Sequence, residues 1–265
     1  MTAGDMITRN ANKFPKKIAV VSEGVSMDYD TLNKRVNRLA DTLLKRGLQK
    51  GDRIGVLVHN CRQFIETYFA AAKTGGIFCP YNNHLKKVEL EDIINYSTPR
   101  FLFFDADYGD TLNELQGKIN SVEHYVCLQK SRWPLMEDYE TIISEGDEKE
   151  PGIKILDDDV MSIFFTAGTT GRPKGAMRTH RHIIINAIIG VIDLKVSYDE
   201  RALISFPMYH ISCEDNIGRH TFMPNTIHIK REGSFNPAEV LGYIEQERIT
   251  RCQMVPTMIH SCLQL

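Results

Sequence analysis

Short apolar runs and amphipathic helical stretches take turns through the first half of the chain, and that rhythm leaves few folds open. Ile18-Ala-Val-Val21 reads as a β-branched strand, and Met27-Asp-Tyr-Asp-Thr31 leads from a second short strand into a helix. On that helix Leu32, Val36, Leu39 and Leu43 recur at helical spacing, with Lys34, Arg35, Arg38 and Asp41 opposite and Gly47 placed to end it. Gly51-Asp52 turns the chain into Ile54-Gly-Val-Leu-Val58, a continuous apolar run suited to a buried strand. Arg62 to Lys73 reads as the next helix, with Asn60 as its cap, Phe64, Tyr68, Ala71 and Ala72 inward, and Gly75-Gly76 as its stop. A third helix over Val88 to Tyr96 breaks before Pro99, and Phe101-Leu-Phe-Phe104 is another strand. Strand, helix, strand in succession predicts an α/β fold with a mostly parallel sheet.

With 265 residues, 42% of them hydrophobic, the chain can bury the core of one large domain or two ordinary ones. Ser144 to Lys154 is charged and carries Gly146, Pro151 and Gly152, which reads as a surface linker between a first α/β subdomain (1–150) and a second (151–265). The 32 basic and 34 acidic residues nearly cancel, so no electrostatic argument favours nucleic acid or an anionic membrane as partner. Met1 to Lys17 lacks an apolar signal region, and the most apolar stretch, Ile183 to Ile192, is too short to span a bilayer. The six cysteines form no CxxC pair and read as reduced thiols, so the expected location is cytoplasmic.

The second half holds the chemistry. Val160-Met-Ser-Ile-Phe-Phe165 is a buried strand candidate, followed directly by Thr166-Ala-Gly-Thr-Thr-Gly-Arg-Pro-Lys-Gly175. Gly168, Gly171 and Gly175 let backbone N–H groups approach an anion closely. Thr166, Thr169 and Thr170 add hydroxyls, and Lys174 adds a compact positive charge. Such a loop suits a polyphosphate. It is not a Walker A loop, because Lys174 follows Pro173 and precedes Gly175 instead of lying between Gly and Ser/Thr. Beyond it a helix is expected from Thr179, an irregular segment from Pro207, and a helix from Pro237 through Val240, Ile244 and Glu247.

The loop resembles the signature T-S-G-T-T-G-x-P-K-G of the adenylate-forming superfamily, with Ala167 in place of serine. The lost hydroxyl is worth about 1.5–3 kcal/mol at most toward a charged group. Further stretches are similar to the N-terminal lobe of that superfamily: Leu32 to Ala40, Lys50 to Ile54, Ala72 to Gly75, Pro80-Tyr-Asn82 and Met177-Arg-Thr-His180. Pro207-Met-Tyr-His210 resembles its P-x-[FY]-H segment, and Val255-Pro-Thr257 a later pocket element. Cys213 after His-Ile-Ser is similar to carnitine- and crotonobetaine-type CoA ligases.

The resemblance implies layered, mostly parallel sheets with helices on both faces, the large N-terminal domain of the adenylate-forming fold in truncated form. It implies an AMP-forming acyl-CoA ligase that activates a small carboxylic acid with Mg-ATP to an acyl-adenylate and then a coenzyme A thioester, as in fatty acid metabolism. Thr166, Ala167, Gly168, Thr169, Thr170, Gly171 and Lys174 would bind ATP, Thr166 would also help to hold Mg²⁺, and His210 would touch the acid. No catalytic acid or base is assigned, because a carboxylate is already ionised at pH 7. Two alternatives keep the loop but change its use: an adenylation domain loading an amino or aryl acid onto a carrier protein, and a non-catalytic nucleotide-binding module.

His180 reads as a structural residue at the start of a helix, and the pair His210 and Cys213 lacks the second pair that a metal site needs. Glu214, Asp215, Arg219 and His220 admit two readings: solvent-facing charges with Asp215 and Arg219 paired at i,i+4, or the lining of a pocket for a polar acid. The chain stops at Leu265 inside an apolar run and lacks the superfamily's later elements, so the end reads as a cut. Exposed apolar surface is expected in the C-terminal third, with self-association, a homodimer for instance, as its consequence. On its own this piece is expected to be inactive.

Overall fold

The computed structural model describes residues 1–166, 173–231, 233 and 235–265. The strands are β1 (Ile18–Ser22), β2 (Val25–Asp28), β3 (Arg53–Leu57), β4 (Ile77–Pro80), β5 (Pro99–Phe104), β6 (His124–Cys127), β7 (Met136–Asp138), β8 (Val160–Thr166), β9 (Lys174–Thr179), β10 (Arg201–Ile204), β11 (Thr226–Ile229) and β12 (Arg251–Cys252). The α-helices are α1 (Ala3–Lys13), α2 (Tyr29–Lys45), α3 (Arg62–Thr74), α4 (Lys87–Ser97), α5 (Gly109–Leu115), α6 (Tyr139–Ser144), α7 (His180–Asp193), α8 (Ile211–Phe222), α9 (Pro237–Gln246) and α10 (Pro256–Cys262). Two sheets result, ordered β7-β6-β5-β3-β4-β8-β9 and β12-β10-β11-β1-β2. Pairing is parallel throughout except for the hairpins β8–β9 and β1–β2. The expected α/β class of mostly parallel, layered sheets with helices on both faces is what forms.

The seven-stranded sheet is buried on both sides, which is why its strands read as unbroken apolar runs. Phe101 and Phe103 join a core with α2 and α3, and the alternate residues Leu102 and Phe104 join a second core with Leu90, Ile93 and Ile94 of α4 and Leu112 and Leu115 of α5. Both sheets draw strands from either side of residue 150, so they do not correspond to the two halves 1–150 and 151–265. The 145–150 segment is instead fastened to the first helices. Lys73 is buried and donates to Asn33, Asn37 and Glu150, the last at 2.6 Å.

One local reading is corrected, and two elements join those expected. Asn60 does not cap α3; Cys61 holds the N-cap position without a side-chain bond, and the buried Asn60 side chain serves another segment, described below. The polar N-terminus contains α1, closed by a capping box between Thr2 and Asp5 and anchored by Ala3, Met6 and Ile7, all fully buried. The loop after β8 returns as β9, and the helix expected from Thr179 forms as α7, capped by the Thr179 side chain.

Among the described residues no helix is long and apolar enough to cross a membrane, and all six cysteines carry free thiols. None of residues 254–265 is buried, and the exposed apolar side chains include Val255, Ile259 and Leu263 together with Ile185, Ile189 and Ile192 of α7. The apolar surface expected in the C-terminal third is therefore present.

Candidate active site

The phosphate-loop candidate connects β8 to β9, and its described ends, Thr166 and Lys174, are the last register pair of the two strands. Thr166 pairs across the hairpin with Lys174, both are exposed, and the Thr166 hydroxyl is 3.5 Å from the Lys174 carbonyl oxygen. That contact is too long to occupy the hydroxyl fully. Ala167, Gly168, Thr169, Thr170 and Gly171 lie outside the described residues, as does Arg172. A close approach keeps the hairpin narrow at its end: a Cβ on Gly175 would lie 2.8 Å from Ile163 Cγ2 and so collide with the facing strand.

Behind the hairpin, α8 begins at His210. The imidazole acts as the N-cap, accepting from the Ser212 backbone N–H, with Ser212 Oγ 2.8 Å from Nδ1. His210 is exposed and lines a cavity of about 310 Å³ with Phe206, Pro207, Tyr209, Ser212, Gln253, Val255 and Met258. The wall is mostly apolar, with Ser212 and Gln253 as the polar points. Asn216 fixes Gln253 from below, donating to its Oε1 at 2.6 Å and to the Ser212 carbonyl at 2.9 Å.

Asn60 sets the pocket's other edge. Its Nδ2 donates to the Phe206 and Lys230 carbonyls at 2.8 and 3.1 Å, and its Oδ1 accepts from the Met208 N–H at 2.8 Å. An irregular segment cannot satisfy its own backbone, so a buried amide from the β3–α3 corner does it.

Neither reading of the charged stretch after His210 holds. Glu214 is fully buried, Asp215 is partly buried, and neither lines the cavity. Their partner is not Arg219 but Arg178 on β9. Its Nη1 lies 2.8 Å from Glu214 Oε2 and 2.7 Å from Asp215 Oδ1, and the aligned hydrogen bond goes to Asp215. Asn186 of α7 also donates to Asp215 Oδ1, at 2.5 Å. Burial pushes Glu214 up to about 7 against the pull of Arg178 and the nearby hydroxyls of Ser162 and Tyr68, neither of which sits in aligned hydrogen-bond geometry. Cys213 is buried, its thiol pushed up by desolvation, while its neighbour His210 is exposed. His180 is buried at the start of α7 and accepts from the Ala3 N–H through Nδ1 at 3.2 Å, the structural role expected of it.

The family model for AMP-binding enzymes matches residues 7–265. The chain belongs to the AMP-binding enzyme family. Over 256 residues it is 31% identical to a feruloyl-CoA synthase of Amycolatopsis sp, covering 96% of this chain and 49% of that protein. Over 263 residues it is 26% identical to the crotonobetaine/carnitine–CoA ligase of Citrobacter koseri, covering 96% of this chain and 50% of the relative. Its fold matches a long-chain-fatty-acid–CoA ligase from Archaeoglobus fulgidus with a TM-score of 0.90 at 25% identity, over all of this chain and 53% of that one. It also matches an anthranilate–CoA ligase in complex with anthranoyl-AMP, with a TM-score of 0.95 at 20% identity, over all of this chain and 52% of that one. The chain spans about half the length of the curated relatives it matches.

In this member of the AMP-binding enzyme family, the sequence put forward the β8–β9 connection and His210 as candidates but did not point to Asn60, Tyr68, Ser162, Arg178 and Gln253 as parts of that neighbourhood. For Arg178 a signal existed: it is a charge in a strand between Met177 and Thr179, next to the loop. Nothing local pointed to its partners on α8.

Proposed function

We propose that this chain supplies the nucleotide- and acid-binding half of an AMP-forming acid–CoA ligase. The observation that carries the reading beyond the family is the apolar cavity beside His210, whose volume of about 310 Å³ suits a small organic acid. The exposed Thr166 hydroxyl and Lys174 ammonium at the hairpin tip fit a polyphosphate, and Gly168, Thr169, Thr170 and Gly171 are assigned with them from the loop pattern. Thr166 would help to hold Mg²⁺, which supplies charge neutralisation at the phosphates.

The acid's carboxylate oxygen attacks the α-phosphorus of ATP in line. The bond to the bridging oxygen breaks, pyrophosphate leaves with that electron pair, and an acyl-adenylate forms. The thiol of coenzyme A then adds to the acyl carbonyl and AMP departs. The carboxylate needs no general base in the first step, so this chain's residues have to position and neutralise. Lys174 balances phosphate charge, and the walls of Phe206, Tyr209, Val255 and Met258 hold the acid's apolar body and keep water from its carbonyl side. Because Glu214 and Asp215 lie against Arg178 and do not line the cavity, the acid class favoured is aryl or acyl with little added charge, not a betaine or dicarboxylate.

Calorimetry of this chain with Mg²⁺ and α,β-methylene-ATP, and with ferulate, octanoate and crotonobetaine, tests the reading. Binding of the nucleotide together with ferulate or octanoate is expected. No nucleotide binding overturns the function, and tightest binding of crotonobetaine overturns the acid class.

A further inference from the structure

The cluster around Arg178 joins the two parts of the candidate site and is left incompletely satisfied. Ser162 on β8 and Arg178 on β9 face each other across the hairpin and are the register partners of its stem. Ser162 is four strand residues from Thr166, and Arg178 four from Lys174, about 13 Å at the usual strand rise. Glu214 and Asp215 lie about one helical turn from the cap His210, about 6 Å along the axis. One guanidinium therefore touches both the stem that carries the loop and the helix that starts the acid pocket.

That guanidinium faces two carboxylates and gives its aligned bond to one. Asp215 takes the bond and has Asn186 as well, whereas Glu214, more deeply buried, has the 2.8 Å charge contact without a directed bond. The hydroxyls of Tyr68 and Ser162 are buried without partners beside it. A buried polar network left half-satisfied is costly, and a small sliding of hairpin against helix would complete a second arrangement. There Arg178 would direct its bond to Glu214 with the two hydroxyls aligned on the same carboxylate. Two discrete arrangements of one packed contact are what allows a small shift at one site to be felt at another.

We propose that Arg178 is a positioning residue whose choice between Asp215 and Glu214 couples nucleotide binding at the hairpin tip to acid binding at His210. The proposal rests on the function put forward above. Because coupling between binding sites is reciprocal, nucleotide must tighten the acid by the same factor as acid tightens nucleotide.

The test compares the wild-type chain with the Arg178→Met/Glu214→Gln double variant, which leaves no unpaired charge at position 214. Affinities are measured by calorimetry for Mg²⁺–α,β-methylene-ATP and for the best-bound acid of the panel above, each alone and with the other present. The wild type should show a coupling factor of about fivefold or more. In the double variant the factor should fall below about twofold, with each ligand alone bound within about threefold of wild type. A role in packing alone would shift the unfolding midpoint or both affinities and leave the factor intact. The single variant Arg178→Lys keeps the charge but loses the fork that spans two carboxylates, and it too should lose the coupling. A folded double or single variant with the wild-type factor overturns the proposal, as does a wild type that binds both ligands independently. A wild type that binds neither overturns the proposed function, and this inference falls with it.

Discussion

Replacing Glu214 by glutamine isolates one buried carboxyl whose ionisation the fold opposes. Its pKa is pushed from an ordinary 4.5 to about 7, first by burial, with Arg178 pulling the other way. A raised carboxyl contributes its stability below the unfolded value and loses it as pH climbs through the folded value. One unit is worth about 1.4 kcal/mol, so the wild type carries a penalty of about 3 kcal/mol above pH 7 and only about 1 kcal/mol at pH 5, which lies only a little above the unfolded value. Glutamine is close in shape, stays neutral and still offers groups to Arg178, Ser162 and Tyr68, so its own cost does not vary with pH. Urea unfolding of both proteins between pH 5 and pH 7.5 should show the stability difference, variant minus wild type, rising by about 2 kcal/mol. The other titrating groups cancel in that difference. A difference flat to within about 0.5 kcal/mol would mean that the contact with Arg178 holds Glu214 at an ordinary carboxylate value, and the burial argument would be wrong.

Three further outcomes are expected. Lys174→Ala should weaken Mg-ATP binding by about 10- to 100-fold, the loss of one charged hydrogen bond, with the unfolding midpoint unchanged because the side chain is exposed; calorimetry reads the first and a thermal melt the second. Gly146→Ala should destabilise by about 1–3 kcal/mol in urea unfolding, since a Cβ there would sit 1.9 Å from the Arg38 carbonyl oxygen of α2, a backbone atom that cannot turn aside. Burial pushes His180, His220 and His228 down to about 4 from 6.5, so they cost stability as pH falls through that range. Against the single opposing proton of Glu214, the three imidazoles still bind more protons unfolded than folded up to pH 7, so stability should rise steeply from pH 4.5 to about 6.5 and level off between about pH 7 and 8, and a melting temperature that falls between pH 6 and 7 would contradict this.

The chain's local chemistry was enough to establish the alternation of strands and helices, the α/β class and the loop from Thr166 to Gly175, because each depends on the periodicity or order of neighbouring residues. Phe101 to Phe104 needed no partner to be read as a strand. The Thr2–Asp5 box was equally legible and was passed over in a segment judged only for a signal peptide. What the sequence could not decide was which distant surfaces would meet. β1 pairs with β11 some two hundred positions on, so the two sheets cut across the apparent linker. The return strand Lys174–Thr179 exists because β8 offers it an edge, not because its own residues alternate cleanly. Asn60 had the right type for a helix cap, but its Oδ1, the atom that would accept from the helix N–H groups, is taken by the Met208 N–H 148 positions away. Asp215 likewise had Arg219 at the ideal helical spacing and took Arg178, 37 positions away, because only the tertiary fold buries that pair together, and in a buried setting charge contacts are far stronger than at a solvated helix surface.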